Sequence, residues 1–214
     1  MDKKLTAILL RASDLRESDK SVRLFSAEEG VVSAVMKGVR KPNAKLKFAA
    51  QPFALCVYEL NEKAGRFTVT GAAQIEDLYS IAAEPEKYAA ACLLLEATEK
   101  AAESVEPQKL FVILLKSLKA LLLDAVRPAL VAAKFLQKTL SMSGFISVPE
   151  KKDVLPDTPS RVLDYIAYKT LEQLAGVSVP AATLKKTVLL IARRFEGVYE
   201  AGLSSLAVFT AMLA

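Results

Sequence analysis

The apolar residues of this chain change their spacing once, near residue 78, and that change limits the fold more than any other feature. Up to residue 77 the spacing is two. In Arg66–Asp77, Phe67, Val69, Gly71, Ala73 and Ile75 fall on one face and Thr68, Thr70, Ala72 and Gln74 on the other. In Val31–Lys37, Val32, Ala34 and Met36 oppose Val31, Ser33, Val35 and Lys37. Side chains of a strand alternate between faces, so this spacing predicts strands. Ser21–Ser26 joins Val31–Lys37 through Glu28-Glu29-Gly30, a hairpin signal. Leu5–Arg11 and Pro52–Leu60 are further apolar runs, and Pro52 is tolerated at a strand start. Five short strands with regularly placed turns predict a small closed barrel over residues 1–78.

From residue 79 onward apolar residues recur at intervals of three and four, the period of a helix. Helical runs are expected over 84–104, 107–125, 127–144, 158–176 and 180–202. Pro85, Pro107 and Pro128 stand near helix starts, where the missing N–H costs nothing. Gly144 stands at a helix end, and Thr158 is placed to cap the next helix. Val148–Ser160 holds three prolines and five charges and reads as a loop. The fold class expected is α+β: a five-stranded barrel at 1–78 followed by an all-α domain of five or six helices at 79–214.

Several chemistries find no residues to carry them. The sequence has no histidine, and its two cysteines, Cys56 and Cys92, lie in apolar surroundings that predict buried free thiols. No glycine-rich phosphate loop occurs, and neither cysteine has a base partner in view, so no catalytic residue, metal or cofactor is assigned. Glu28-Glu29 and Glu76-Asp77 read as solvated turn edges. The N-terminus carries early charge unlike a signal peptide, and the longest uncharged run, Ala201–Ala214, is too short to span a bilayer; a cytoplasmic protein is expected.

Charge is distributed unevenly. The chain has 29 basic and 24 acidic residues, yet the eleven residues KGVRKPNAKLK hold five cations (Lys37, Arg40, Lys41, Lys45 and Lys47) and no acid. Gly38, Pro42 and Asn43 argue against a helix there, so the segment is expected to be a flexible cationic loop between two barrel strands. Such a loop suits phosphate neutralisation, with affinity that falls as salt rises. Phe48, at the loop's edge, is the ring best placed to stack on a base, with burial in the core as its competing fate. Arg127, Lys134 and Lys138 share one face if they lie on one helix, which could take an acidic peptide or be an ordinary solvated face. A protein-interaction module and an RNA-binding barrel stand as alternatives to a DNA-binding protein.

Residues 16–53, RESDKSVRLFSAEEGVVSAVMKGVRKPNAKLKFAAQPF, resemble the N-terminal barrel of the bacterial RecO recombination-mediator family. The resembling features are the LFS…EEG turn, a strand ending in KGVRK, the basic loop, and QPF opening the next strand. Two later stretches, LLKSLKALL…LVAAKFLQKTLSMSGF and LKKTVLLIARRFEGVYEAGLSSLAVF, resemble the family's helices more loosely. The resemblance implies an oligonucleotide-binding (OB) barrel and a non-enzymatic protein of DNA repair and homologous recombination, associated with the nucleoid. It implies binding of single- and double-stranded DNA, annealing without ATP, and help in loading RecA onto DNA coated by single-strand-binding protein. The implied partners are RecR, RecF, RecA and the acidic C-terminal tail of the single-strand-binding protein. The implied DNA contacts are Lys37, Arg40, Lys41, Lys45 and Lys47, with Arg11 of the first strand; the implied tail contacts are Arg127, Lys134 and Lys138. Many members carry a four-cysteine zinc site after the helix matching 128–143. Here that place has no cysteine, so a zinc-free member is expected, with the proline-rich loop at 148–160 replacing the finger.

Overall fold

The computed structural model describes residues 2–124, 126–146 and 157–213. Strands β1 (Asp2–Leu15), β2 (Asp19–Ser26), β3 (Gly30–Met36), β4 (Leu55–Lys63) and β5 (Arg66–Glu76) close into a barrel in the order β1-β2-β3-β5-β4. β1 pairs antiparallel with β2 and β4, and a short parallel pairing of Ala34 with Phe67 and of Val35 with Thr68 joins β3 to β5. This is the five-stranded OB barrel.

The barrel interior is filled by alternate residues of each strand, including Leu5, Ala7 and Leu9 of β1, Val22 and Leu24 of β2, and Ala34 and Met36 of β3. Cys56, Tyr58 and Leu60 of β4 complete it. Two bulges alter the alternation expected for β5. Leu60 faces Val69 but Glu59 faces Gly71, which leaves Thr70 as an extra residue; Ile75 is a second one. The inward positions therefore run Phe67, Val69 and then Ala72. Ala73 and Ile75, expected on the face of Phe67, are exposed, Ile75 by 51%. A further bulge in β1 lies between Leu9 and Arg11 and places Arg11 opposite Arg23.

The chain divides into two compact units: residues up to Ser80 together with Glu106–Val112, and Ile81–Val105 together with the residues from Ile113 onward. Within the first, the ring of Phe111 packs against the fully buried Phe25, centroids 6.1 Å apart.

The helices are α1 (Pro85–Ala101), α2 (Pro107–Leu122), α3 (Pro128–Met142), α4 (Pro159–Tyr168), α5 (Ala181–Tyr199) and α6 (Ser204–Met212). Each of the first four begins on a proline, and Pro180 caps α5. α3 is buried on almost every side and packs against α1, α4 and α5. The helix expected over 158–176 stops at Tyr168: Thr170 and Gln173 cap each other's backbone amides and start a separate 3₁₀ turn, Glu172–Leu174. Helix α6 follows a left-handed residue, Glu200. Its first two amides are held by both oxygens of Glu96 of α1, each at 2.8 Å, a carboxylate at a helix N-terminus. Of the proline-rich stretch 148–160, only the last four residues fall within the described residues; Thr158 precedes α4 without a side-chain cap bond.

Candidate nucleic-acid interface

The cationic segment leaves β3 after Met36 and crosses to β4. Gly38 adopts φ +65°, a left-handed backbone that glycine takes without penalty. That turn aims its N–H at Asp19 Oδ1, 2.8 Å away. Arg40 fastens the next turn: its N–H donates to the carbonyl of Ser18 at 2.9 Å, its Nη1 to that of Arg16 at 3.0 Å, and its Nη2 pairs with Asp14 at 3.0 Å. The Gly38 amide, then the Ser18 hydroxyl and the charges of Arg16 and Lys37, hold the Asp19 carboxyl below the usual aspartate range.

The far half of the loop is fastened from inside the barrel. Lys47 Nζ donates to the carbonyl of Pro42 at 2.7 Å. Phe48–Ala50 form a 3₁₀ turn whose Ala49 and Ala50 are buried. The fully buried Tyr58 donates its hydroxyl to the carbonyl of Ala49 at 2.9 Å, and burial pushes its phenol pKa well up. Val39 and Phe53 are also buried. The segment expected to be a flexible loop is thus a folded one, tied to the β1–β2 turn at its start and to the core at its end.

All five cations of the loop are exposed, but their commitments differ. Arg40 and Lys47 hold the loop's own shape. Lys37 stands near Asp19. The side chains of Lys41 and Lys45 have no ion-pair or hydrogen-bond partner among the described residues and point charge at solvent. Phe48 is half-buried and packs against the core cluster. Arg11, exposed, faces Arg23, whose Nη1 donates to Ser33 Oγ at 2.8 Å. Arg23 was not singled out in the sequence; its position between the inward Val22 and Leu24 was the available signal.

The three cations of the helical unit differ in their placement and commitments. Arg127 precedes α3 rather than lying on it, and its Nη1 donates to the carbonyl of Val179 at 2.6 Å. Lys134 Nζ donates to the carbonyls of Ile166 and Ala167, at 2.7 and 3.3 Å, at the end of α4. Burial, then the charge of Lys138, lowers the Lys134 amine to about 8. Lys134 and Lys138 line two clefts, of about 230 and 310 Å³, to which Arg194 and Lys169 respectively add charge. Among the described residues no group of three or more His, Cys, Asp or Glu side chains could hold a metal ion, and no helix is long and apolar enough to cross a membrane. Cys56 is buried, Cys92 half-buried, and both thiols are free.

Residues 1–77 match the family model described as "Recombination protein O N terminal". The "DNA repair protein RecO" of Frankia casuarinae is 33% identical over 141 residues, 64% of this chain and 58% of that protein. Its namesake from Desulfitobacterium hafniense (strain DSM 10664 / DCB-2) is 30% identical over 140 residues, 65% of this chain and 50% of that protein. A shorter match, 44% over 62 residues, joins 29% of this chain to 24% of the RecO of Anaeromyxobacter sp. (strain K). The chain spans about half the length of the curated relatives it matches.

Proposed function

We propose that this chain, which resembles the bacterial RecO DNA-repair proteins, binds DNA through its barrel and the loop at 37–47, and serves in repair and recombination without chemical catalysis. One observation supports this most: Lys37, Lys41 and Lys45 are exposed on a loop anchored by Asp14, Asp19 and Tyr58. A solubilising loop has no need of such anchoring. A phosphate-binding loop gains from it, because cations already in place lose less freedom when the polyanion arrives.

The mechanism is electrostatic. Lys37, Lys41 and Lys45 neutralise phosphates and release counterions, with Arg11 adding charge on the sheet. Arg40 and Lys47 act chiefly by shaping the loop. Neutralising one strand lowers its repulsion for a complement, so annealing needs no ATP and no catalytic residue. Phosphate contacts carry no sequence information, so binding to single and double strands alike follows.

The helical unit is the proposed docking site for proteins: RecR, RecF or RecA, and the acidic tail of the single-strand-binding protein. The two clefts beside Lys134 and Lys138 favour an acidic peptide there. Arg127 and Lys134 contribute their field while remaining bonded to backbone carbonyls. Loading of recombinase onto coated DNA follows if barrel and clefts are occupied together.

The deciding experiment titrates the chain into labelled single-stranded DNA at several salt concentrations. Binding at low salt that falls linearly on a log–log plot supports the reading. No binding, or binding indifferent to salt, overturns it, and a strong preference for RNA of the same sequence redirects it to the RNA-binding alternative.

A further inference from the structure

The larger of the two clefts beside Lys134, about 310 Å³, is walled by α2, α3 and the turn after α4. Lys116, Lys134, Lys138 and Lys169 line it, and Glu172 is the one acid among its described lining residues. Lys116 and Lys138 are exposed, and Lys138 has no ion-pair partner among the described residues. Ser117, on the same wall, is only 3% exposed, and its hydroxyl has no hydrogen-bond partner among the described residues. A buried hydroxyl left unpaired is rare in a folded chain, and on a cationic wall it suits an oxygen of an anion.

The Lys134 amine is held in a fixed place on this wall. It donates to the carbonyls of Ile166 and Ala167, at 2.7 and 3.3 Å. An ammonium has three hydrogens and these carbonyls use two, so loss of the third keeps both bonds and leaves a lone pair in its stead. Burial lowers this amine to about 8, so at pH 7.5 it is free in about a quarter of molecules, against roughly one in a thousand for an ordinary lysine. A desolvated lysine beside other cations is an activated nucleophile. Cleft, cations and nucleophile thus coincide.

We propose that Lys134 is a site of covalent acylation, taking its acyl group from a small acyl phosphate drawn into the cleft of Lys116, Ser117, Lys138 and Lys169. The ammoniums and the Ser117 hydroxyl hold the phosphate oxygens, which brings the acyl carbon to Nζ. The lone pair of Nζ attacks that carbon and forms the N–C bond. The bond from the acyl carbon to the bridging oxygen breaks, its electron pair leaves on the phosphate, and the surplus proton of the nitrogen passes to the departing phosphate. The amide product is uncharged and keeps one N–H, enough for one of the two carbonyls. The consequence rests on the acidic-peptide reading above: acylation withdraws a cation from the place where that peptide would dock.

The experiment treats the folded native chain with acetyl phosphate at pH 7.5 and follows the occupancy of each lysine by mass spectrometry. Lys134 is expected to acylate at least about tenfold faster than the solvent-facing Lys41 and Lys45, well inside the free-amine ratio, and to lose that preference in urea. Lys138→Gln should slow acetyl phosphate by about threefold or more and slow N-acetoxysuccinimide, an uncharged donor, less. A Lys134 rate no greater than those of Lys41 and Lys45 overturns the proposal. A preference that persists in urea overturns it too, because it then owes nothing to the cleft. Equal slowing of both donors by Lys138→Gln overturns the phosphate-holding role of the cleft. Should that variant not fold, inorganic phosphate added to the native chain decides the same point: it should slow acetyl phosphate and spare the uncharged donor. No DNA or peptide is present, so failure here leaves the DNA-binding and peptide readings intact.

Discussion

The carboxylate of Asp19 and the backbone amide of Gly38 meet at 2.8 Å across nineteen residues of sequence. Arg40, two residues later, reaches back to Asp14 at 3.0 Å. Acidic side chains therefore sit at the root of the most cationic segment of the chain. They subtract from its charge and fix its path, and the two effects oppose each other in any measurement of DNA affinity.

That opposition makes Asp19→Asn informative. If charge alone governs binding, removing an anion beside Lys37 strengthens it. If the clamp governs, the Gly38 amide loses its charged acceptor, the loop spreads, and affinity falls a few-fold at low salt. The second outcome is expected. Glu28→Gln, an exposed acid on the β2–β3 turn, serves as control and should show only the mild strengthening that charge predicts. The pH dependence has a definite sign. Hydrogen bonding holds the folded carboxyl below the ordinary value of 3.8, so the clamp's contribution is complete above that pH and is lost as pH falls through the folded value. Binding measured from pH 5 to 8 should not vary on account of Asp19.

The loop cations should separate into two kinds. Converting Lys37, Lys41 and Lys45 together to Gln removes three solvent-facing charges, and the log–log salt slope for single strands should fall by about 2, at roughly 0.7 for each phosphate no longer neutralised. Thermal unfolding should barely move. Lys47→Gln loses the donor to Pro42 and Arg40→Gln loses the pair with Asp14, so both should shift the unfolding midpoint as well as binding. A triple variant with an unchanged salt slope would place the DNA elsewhere.

The difference between these two kinds was not visible in the sequence, and the reason is physical. Alternation along β3 is local and groups Val32, Ala34 and Met36 on one face, which is the inward one, and the apolar run of β4 marks Cys56 as buried. The helix starts are equally local, because a proline marks each of the first four. Partners that meet across long separations leave no periodic trace: Asp19 with Gly38, Tyr58 with Ala49, and Lys134 with the end of α4. Bulges are invisible for a related reason. Thr70 and Ile75 become extra residues only because β4 is the partner, and each insertion reverses the faces that follow. Thus five cations read as one patch, and the structure divides them into solvent-facing and loop-shaping groups.

Tyr58→Phe tests the inner anchor. The hydroxyl is fully buried and donates to Ala49 at 2.9 Å, and its loss leaves that carbonyl without its side-chain partner in the core. A destabilisation of about 1–2 kcal/mol is expected from denaturant unfolding. Because Ala49 follows Lys47 and Phe48, DNA affinity should weaken too, with an unaltered salt slope, since no charge has been removed. A stability loss with unchanged affinity would show that the basic segment keeps its path without this bond.

Lys134 offers a prediction in the helical unit. Its amine is lowered from 10.5 to about 8 by burial, with Lys138 adding to the effect. A lysine depressed in the folded state binds fewer protons there than in the unfolded chain, so between about 8 and 10.5 this group makes stability rise with pH. Lys134→Met removes that rise and also withdraws the donor from the carbonyls of Ile166 and Ala167. The stability gap between native chain and variant should therefore widen as pH goes from 7 to 10, read by chemical unfolding at each pH. Binding of an acidic peptide should move the opposite way, weakening above pH 8 in the native chain as the ammonium is lost. A gap that stays constant across this range would mean that Lys134 remains charged throughout, with its two carbonyl acceptors outweighing the cost of burial.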